Sequence, residues 1–168
     1  MRLCRFGDGR LGVVDGVVVR DVTAALEVLP AYRYPLPTHD VVIANLGAVK
    51  ARICQILKDA PVMPLADVRL LSPVANPGKI IAAPVNYQAH LEEVKVDPQL
   101  HQNKTGHTLT IQSAALFLKA TSSLVGAGEG IVIRHPDRRN DHEVELVVVI
   151  GRTADRVSKQ HAMAHVAG

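Results

Sequence analysis

Two acidic residues in this sequence have a type and spacing suited to metal chemistry. Glu143 and Glu145 lie two residues apart, next to the apolar run at 146–150. In a β-strand, side chains two residues apart project from the same face, with Cα atoms roughly 6.5 Å apart. Two such carboxylates can converge on one divalent cation, which would offset the cost of placing them in a hydrophobic strand. The solvated face of an edge strand would have the same pattern.

A second pair, His90 and Glu93, follows the apolar stretch at 79–83. A separation of three residues places both side chains on one face of a helix, close enough to interact. The carboxylate can orient the imidazole, which is then suited to act as a general base near neutral pH. An exposed helical pair that only adds a little stability would show the same spacing.

The composition restricts the class of protein. The chain has 168 residues, of which 48% are hydrophobic and 21% charged, as in an ordinary soluble globular protein. The net charge is only +3, and the densest basic cluster, formed by Arg134, Arg138 and Arg139, contains no aromatic residue, which argues against nucleic-acid binding. No apolar run reaches transmembrane length and no signal segment is recognisable, so a cytoplasmic protein without a membrane partner is predicted.

The two cysteines, Cys4 and Cys54, do not have the spacing of a metal or redox motif. One pair is also too few for a disulfide framework. We therefore expect both thiols to be reduced and buried, as is usual in the cytoplasm.

Residues 1–72 predict a small N-terminal domain. Short strands are expected before residue 22, with Asp15-Gly16 as a hairpin turn. A helix with Thr38 as its N-cap is expected to follow, and a strand is expected at 68–71. Helical spacing predicts that this helix packs through one apolar face, formed by Leu46, Val49, Ile53, Ile56 and Leu57.

Residues 73–168 predict a second domain, which begins with a buried strand at 79–83. The polar stretch at 94–116 predicts a loop. Ser158 is expected to cap a helix that continues to Val166. Apolar, β-branched runs predict further strands at 117–119, 131–133 and 144–150.

The order and spacing of these motifs resemble those of the fumarylacetoacetate hydrolase family over about residues 68–168. The motifs that carry the resemblance are Lys79-Ile80-Ile81 leading to Asn86-Tyr87-x-x-His90-x-x-Glu93, Phe117-x-Lys119 with Ser122-Ser123, Glu143-x-Glu145-Leu146 with Gly151, and Ala162 to Gly168. The resemblance implies an α+β, mainly β chain. A β-rich roll core, incomplete in this sequence, would follow the small N-terminal domain.

The resemblance also implies a metal site. Members of the family hold Mg²⁺ or Mn²⁺ with two strand glutamates and an aspartate. Glu143 and Glu145 match the first two ligands, and the third protein ligand is expected beyond Gly168. Two carboxylates alone would hold a hard divalent ion poorly, because Mg²⁺ demands nearly octahedral oxygen coordination.

The His-Glu dyad of the family matches His90 and Glu93, which would activate a water molecule. Lys119 would help to bind the substrate or an oxyanion. The implied reaction is the metal-dependent hydrolysis of a carbon–carbon bond in an acylpyruvate-type 2-oxo acid. Ala83 stands where some members have a further aspartate ligand, which favours this three-ligand, acylpyruvase-like branch.

The same resemblance leaves three alternatives to hydrolysis and implies an oligomeric state. Decarboxylation or isomerisation of related 2-oxo diacids would use a similar site. A non-catalytic, truncated chain with a structural role would use none of it. Because members commonly dimerise through the core, the resemblance also implies a homodimer. It implies a small 2-oxo acid as the substrate.

Overall fold

A computed structural model of the protein describes residues 1–84, 86–96 and 111–168. Residues 97–110, which belong to the predicted polar loop, lie outside the described residues. The chain divides into two compact units, residues 1–77 together with 124–168, and residues 78–123. The predicted domain boundary between residues 72 and 73 stays a prediction.

A five-stranded antiparallel sheet forms the N-terminal part of the first unit. The predicted Asp15-Gly16 hairpin is confirmed, and Gly16 has the positive φ of +58° that such turns require. In sheet order, the strands are β4 (Val62–Pro64), β3 (Val18–Asp21), β2 (Arg10–Asp15), β1 (Arg2–Phe6) and β5 (Leu70–Leu71). Only β4 was not predicted, because three residues that follow Pro61 and end in Pro64 carry little strand signal.

Helical segments pack against one side of β2 and form the core of the first unit with it. The predicted apolar helix face is confirmed, because Val49 and Ile53 are completely buried, and Ile56 and Leu57 pack at the edge of the core. The helical segments are a 3₁₀ helix at Thr23–Val28, α1 (Val41–Ala44), α2 (Leu46–Ile56), and 3₁₀ turns at Leu57–Asp59 and Leu65–Asp67.

Asp40, and not Thr38, caps the helical segment that begins at α1, so the predicted cap is wrong. One carboxylate oxygen of Asp40 accepts hydrogen bonds from the amides of Val42 and Ile43, both at 3.0 Å. The other oxygen accepts from the amides of Ala75 at 2.7 Å and Asn76 at 3.1 Å. A single buried carboxylate therefore ties the chain before the second unit to the start of the helix.

Replacing Asp40 with Ala is expected to destabilise the protein by about 3 kcal/mol, because four amides lose their acceptor at a site that is 8% exposed. The free energy of unfolding in urea, followed by far-UV circular dichroism, measures this effect. Thr38→Ala is the matched control and is expected to change it by less than about 0.5 kcal/mol. Equal effects of the two substitutions would contradict the assignment of the cap.

The two cysteines differ in their surroundings. Cys4 is partly buried on β1, whereas Cys54 is exposed, so the prediction of two buried thiols is wrong for Cys54. Burial raises the pKa of the Cys4 thiol, and a backbone hydrogen bond at Gly12 offsets part of that rise. The reactive thiolate form of Cys4 is therefore scarce at neutral pH.

The second unit contains a two-stranded antiparallel sheet, formed by β6 (Ile80–Ala82) and β7 (Phe117–Lys119). Both strands were predicted, but β6 is not buried as expected, since the side chain of Ile81 is 56% exposed. The unit also contains α3 (Gln88–Val96), α4 (Ile111–Ala114) and a 3₁₀ turn at Thr121–Ser123. None of the helices in the described parts of the chain is long and apolar enough to span a membrane.

The predicted strands at 131–133 and 144–150 are absent from the structure. Residues 131–133 and 141–149 have no regular secondary structure, and Ile150 forms only an isolated antiparallel bridge with Val166. The backbone at 149–151 is paired, through hydrogen bonds of Val149 with Ala167 and Gly168 and of Gly151 with His165. The helix predicted from Ser158 is present as a 3₁₀ helix at Lys159–His165.

Residues 126–129 pack against β5 at very short range. The amide of Gly128 donates a hydrogen bond to the carbonyl of Leu70 at 2.8 Å. A Cβ atom on Gly126 would lie 2.3 Å from the backbone of Leu71. The absence of a side chain at Gly126 therefore lets this segment lie directly on the edge strand.

Candidate functional site

The predicted dyad is formed in the structure. His90 and Glu93 lie on α3, and Nδ1 of the imidazole is 3.4 Å from a carboxylate oxygen of Glu93. The sequence of α3 favours a helix because it is rich in Gln, Ala, Leu, Glu and Lys. One turn of that helix is sufficient to bring the two side chains together, so the dyad depends on local structure alone.

The geometry of the dyad suits a base. When a neutral imidazole donates its Nδ1 hydrogen to a carboxylate, Nε2 carries the lone pair that can accept a proton. The side chain of His90 is 33% exposed, whereas that of Glu93 is 64% exposed. The pair is therefore accessible to a water molecule or a small substrate, and as an exposed helical pair it adds little to stability.

Lys119 lies at the end of β7, directly opposite Ile80 of β6. Its ammonium nitrogen is 5.8 Å from the centre of the Phe117 ring, which is two residues away on the same face of the strand. This cation–π contact restricts where the ammonium group can lie. The role of Phe117 was not predicted, although the spacing of an aromatic residue two positions before a lysine is visible in the sequence.

Glu143 and Glu145 lie in the first unit, in the segment without regular secondary structure. Both are exposed, so the structure does not place them on the buried strand from which the site was predicted. Because residues 141–149 are not in a β-strand, the structure does not show the pleated backbone that would align alternate side chains on one face.

The donor set agrees in kind with a hard divalent cation, since Glu143 and Glu145 both offer carboxylate oxygens. It is incomplete in number. In the ranges 1–84, 86–96 and 111–168, no three or more His, Cys, Asp or Glu side chains are grouped so that they could hold a metal ion. These two glutamates can therefore supply part of a Mg²⁺ or Mn²⁺ site and need further ligands.

The predicted site residues thus fall into two groups. The structure brings His90 and Glu93 together and places Lys119 in the same compact unit. Glu143 and Glu145 belong to the other unit. The role of the first group as a base and of the second as metal ligands stays a prediction.

The sequence matches the fumarylacetoacetate (FAA) hydrolase C-terminal family over residues 79–168. A maleylpyruvate hydrolase of Aquipseudomonas alcaligenes is 58% identical over all 168 residues, which cover 58% of its own length. A mitochondrial oxaloacetate tautomerase of Homo sapiens is 34% identical over 108 residues, or 64% of this chain and 31% of that protein. The chain therefore spans little more than half the length of the A. alcaligenes relative and less than a third of the human one.

The fold agrees with the sequence comparison. A crystal structure of maleylpyruvate hydrolase from Sphingobium sp. SYK-6, in complex with manganese(II) ion and pyruvate, matches with a TM-score of 0.74 and 35% identity. The match covers 100% of this chain and 56% of that one. The predicted fold class is thereby confirmed. The chain belongs to the fumarylacetoacetate hydrolase family.

Proposed function

We propose that the chain is the larger part of a metal-dependent hydrolase that cleaves a carbon–carbon bond in an acylpyruvate-type 2-oxo acid such as maleylpyruvate. The observation that carries this proposal is the 58% identity, over every residue of the chain, to a maleylpyruvate hydrolase. The His90–Glu93 contact supports it from the structure, because this hydrolysis needs a base to activate water.

The dyad performs the proton transfer in this proposal. His90 accepts a proton from water at Nε2, while the carboxylate of Glu93 holds Nδ1–H and stabilises the imidazolium that forms. The activated water attacks the carbonyl carbon distal to the 2-oxo acid, and the bond from that carbon to the pyruvate portion breaks. Pyruvate leaves as its enolate, which takes up the proton that His90 accepted. Lys119, with its ammonium group restricted by Phe117, binds a carboxylate of the substrate or the developing oxyanion.

Glu143 and Glu145 are the metal ligands of this proposal. When bound, a Mg²⁺ or Mn²⁺ ion would chelate the 2-oxo acid and stabilise negative charge that develops on the pyruvate portion. The manganese in the Sphingobium enzyme supports a divalent ion in the present chain. The two glutamates would hold part of its coordination sphere through hard oxygen donors, and further ligands would complete it.

Metal binding and hydrolysis test this proposal together. The chain is prepared alone and co-expressed with the part of the A. alcaligenes relative that it does not span, and each preparation is titrated with Mn²⁺ by electron paramagnetic resonance. We expect one saturable site in the co-expressed preparation and at least about 100-fold weaker binding in its Glu143→Ala, Glu145→Ala variant, because both carboxylate ligands are lost. Only the preparation that binds Mn²⁺ is expected to consume maleylpyruvate.

Glu27→Ala, Asp59→Ala is the control variant, because it removes two exposed carboxylates from the N-terminal region. It is expected to bind Mn²⁺ like the unaltered chain. Equal binding by the two double variants would show that Glu143 and Glu145 are not ligands. A preparation that binds Mn²⁺ but leaves maleylpyruvate intact would overturn the proposed reaction.

Tautomerisation of oxaloacetate is the second candidate function. The relationship to the human oxaloacetate tautomerase favours it, because a base and a metal-bound 2-oxo diacid would serve that reaction also. The same preparation distinguishes the two, since a hydrolase releases pyruvate from maleylpyruvate, whereas a tautomerase interconverts the keto and enol forms without releasing a product.

We also propose that the active protein is a cytoplasmic homodimer that acts on a small 2-oxo acid. The family membership supports this assembly. Light scattering during size-exclusion chromatography of the co-expressed preparation measures its molar mass. The expected mass is twice that of one copy of this chain plus one copy of the co-expressed part of the relative.

A further inference from the structure

One face of the two-stranded sheet in the second unit combines apolar side chains with a positive charge. Ile80 lies directly opposite Lys119, and Ala82 lies directly opposite Phe117. Residues opposite each other in an antiparallel pair project from the same face, as do residues two apart in one strand. The four side chains of Ile80, Ala82, Phe117 and Lys119 therefore share one face, which we call the acyl face.

The acyl face is open to a small molecule. The side chain of Phe117 is 46% exposed and Lys119 is exposed, whereas Ile80 and Ala82 are half-buried. The register places Ala82 and Phe117 toward one end of the face and Ile80 and Lys119 at the other. The face thus offers an apolar surface with an ammonium group at one end.

The ammonium group of Lys119 is held close to this apolar surface. Its nitrogen lies 5.8 Å from the centre of the Phe117 ring. In the parts of the chain that the structure describes, no carboxylate forms an ion pair with Lys119. A cation beside an apolar surface is complementary to a ligand that has an apolar body and a terminal carboxylate.

The opposite face of the same sheet has a different character. Ile81 lies directly opposite Leu118, and the two side chains are 56% and 69% exposed. Neither side chain can orient an anion. Exposure alone therefore does not distinguish the two faces, but the position of Lys119 does.

We propose that the acyl face is the subsite for the acyl part of the substrate, and that it selects a flat, unsaturated acyl chain that ends in a carboxylate. This inference rests on the proposed function. A carbon–carbon double bond keeps such a chain flat, so one side of it can lie along Ile80, Ala82 and the Phe117 ring. The terminal carboxylate then accepts hydrogen bonds from the ammonium of Lys119.

The position of the proposed base agrees with this assignment, because His90 and Glu93 belong to the same compact unit as the acyl face. The activated water adds to the acyl carbonyl carbon, and the bond from that carbon to the pyruvate portion breaks. The acyl part of maleylpyruvate is then released as maleate. Maleate is therefore the probe for this subsite.

Nuclear magnetic resonance of the chain, labelled in the isoleucine Cδ1 and lysine Cε groups, tests the proposal by titration with maleate. We expect saturable shifts of the Ile80 and Lys119 signals with one shared Kd. Succinate has the same length and charge but is flexible, so it is expected to bind at least about threefold more weakly. Isocrotonate has a methyl group in place of one carboxylate and is expected to bind at least about tenfold more weakly.

Two substitutions on the acyl face have matched controls beside them. Lys119→Met is expected to weaken maleate binding at least about tenfold, because the charged hydrogen-bond donor is lost. Phe117→Ala is expected to weaken it about fivefold, because the ring that holds the ammonium and supports the chain is lost. The controls Lys79→Met and Leu118→Ala alter neighbouring residues outside the acyl face and are expected to bind maleate like the unaltered chain.

The titration needs neither a metal ion nor hydrolysis, so it separates this subsite from the proposed reaction. Maleate binding at Ile80 and Lys119, together with a preparation that leaves maleylpyruvate intact, would contradict the reaction and support the subsite. The absence of a maleate-induced shift at Ile80 would overturn the subsite, whether or not maleylpyruvate is hydrolysed. Equal effects of Lys119→Met and Lys79→Met would overturn it also.

Discussion

Replacing His90 with Ala is expected to lower kcat/KM for maleylpyruvate by 10²- to 10⁴-fold, the range that a positioned general base contributes. Removal of the imidazole leaves water without a proton acceptor, whereas the other groups that bind the substrate stay in place. We therefore expect the loss in kcat, with KM changed by less than about threefold. Steady-state kinetics of the co-expressed preparation measure both constants.

Two further substitutions on the same helix separate a base from a structural residue. Glu93→Gln keeps an oxygen that can accept from Nδ1–H but removes the charge, so an intermediate loss of about 10-fold is expected. Glu92→Gln is the matched control, because the carboxylate of Glu92 accepts from Gln88 and not from His90. Its activity is expected to equal that of the unaltered chain. A fall of less than tenfold for His90→Ala would remove the base assignment.

Replacing Gly126 with Ala is expected to weaken the packing of residues 126–129 on β5 by about 3 kcal/mol. The new Cβ would lie 2.3 Å from Cα and the carbonyl carbon of Leu71 and 2.4 Å from the amide nitrogen of Ser72. All three are backbone atoms, so no change of rotamer can relieve the overlap. The two segments must separate instead.

The Gly128 amide reports this separation directly, because it donates to the carbonyl of Leu70 across the contact. Hydrogen exchange by nuclear magnetic resonance is expected to show about 100-fold faster exchange at Gly128 in the variant, as 3 kcal/mol of local opening requires. Gly130→Ala is the matched control, since no atom lies within 4 Å of its Cβ position. Unchanged exchange at Gly128 in Gly126→Ala would contradict the close packing.

The sequence predicted the features that depend on short-range structure. The His90–Glu93 contact follows from one turn of a helix, and the Asp15-Gly16 turn follows from the conformations that glycine permits. The buried face of α2 follows from helical periodicity in the same way. Each of these features is determined by residues less than a dozen positions apart.

Features that depend on distant residues were predicted less well. Asp40 and Thr38 are both good N-cap residue types. Asp40 is the cap in the structure, and its other carboxylate oxygen accepts hydrogen bonds from amides 35 and 36 residues away. The run at 146–150 has a strong strand pattern, but a strand is made by its neighbours. The prediction of a buried strand there is wrong, since the structure has an isolated bridge between Ile150 and Val166 in its place.

The same dependence on partners limits how the metal site could be predicted. The spacing of Glu143 and Glu145 identifies two carboxylates with the right chemistry, and the family membership supports their role. Their convergence requires a pleated backbone, which a sequence pattern alone cannot supply. The proposed base, whose two residues lie within one helix, is therefore more predictable from the sequence than the proposed metal ligands.

The order of the strands has a consequence for synthesis of the chain. All five strands of the N-terminal sheet lie within the first 71 residues, and β1, β2 and β3 are joined by short turns. Such local pairings form rapidly, so the sheet can fold while later residues are still being translated. Residues 126–129 would then meet a finished β5 edge when they emerge from the ribosome.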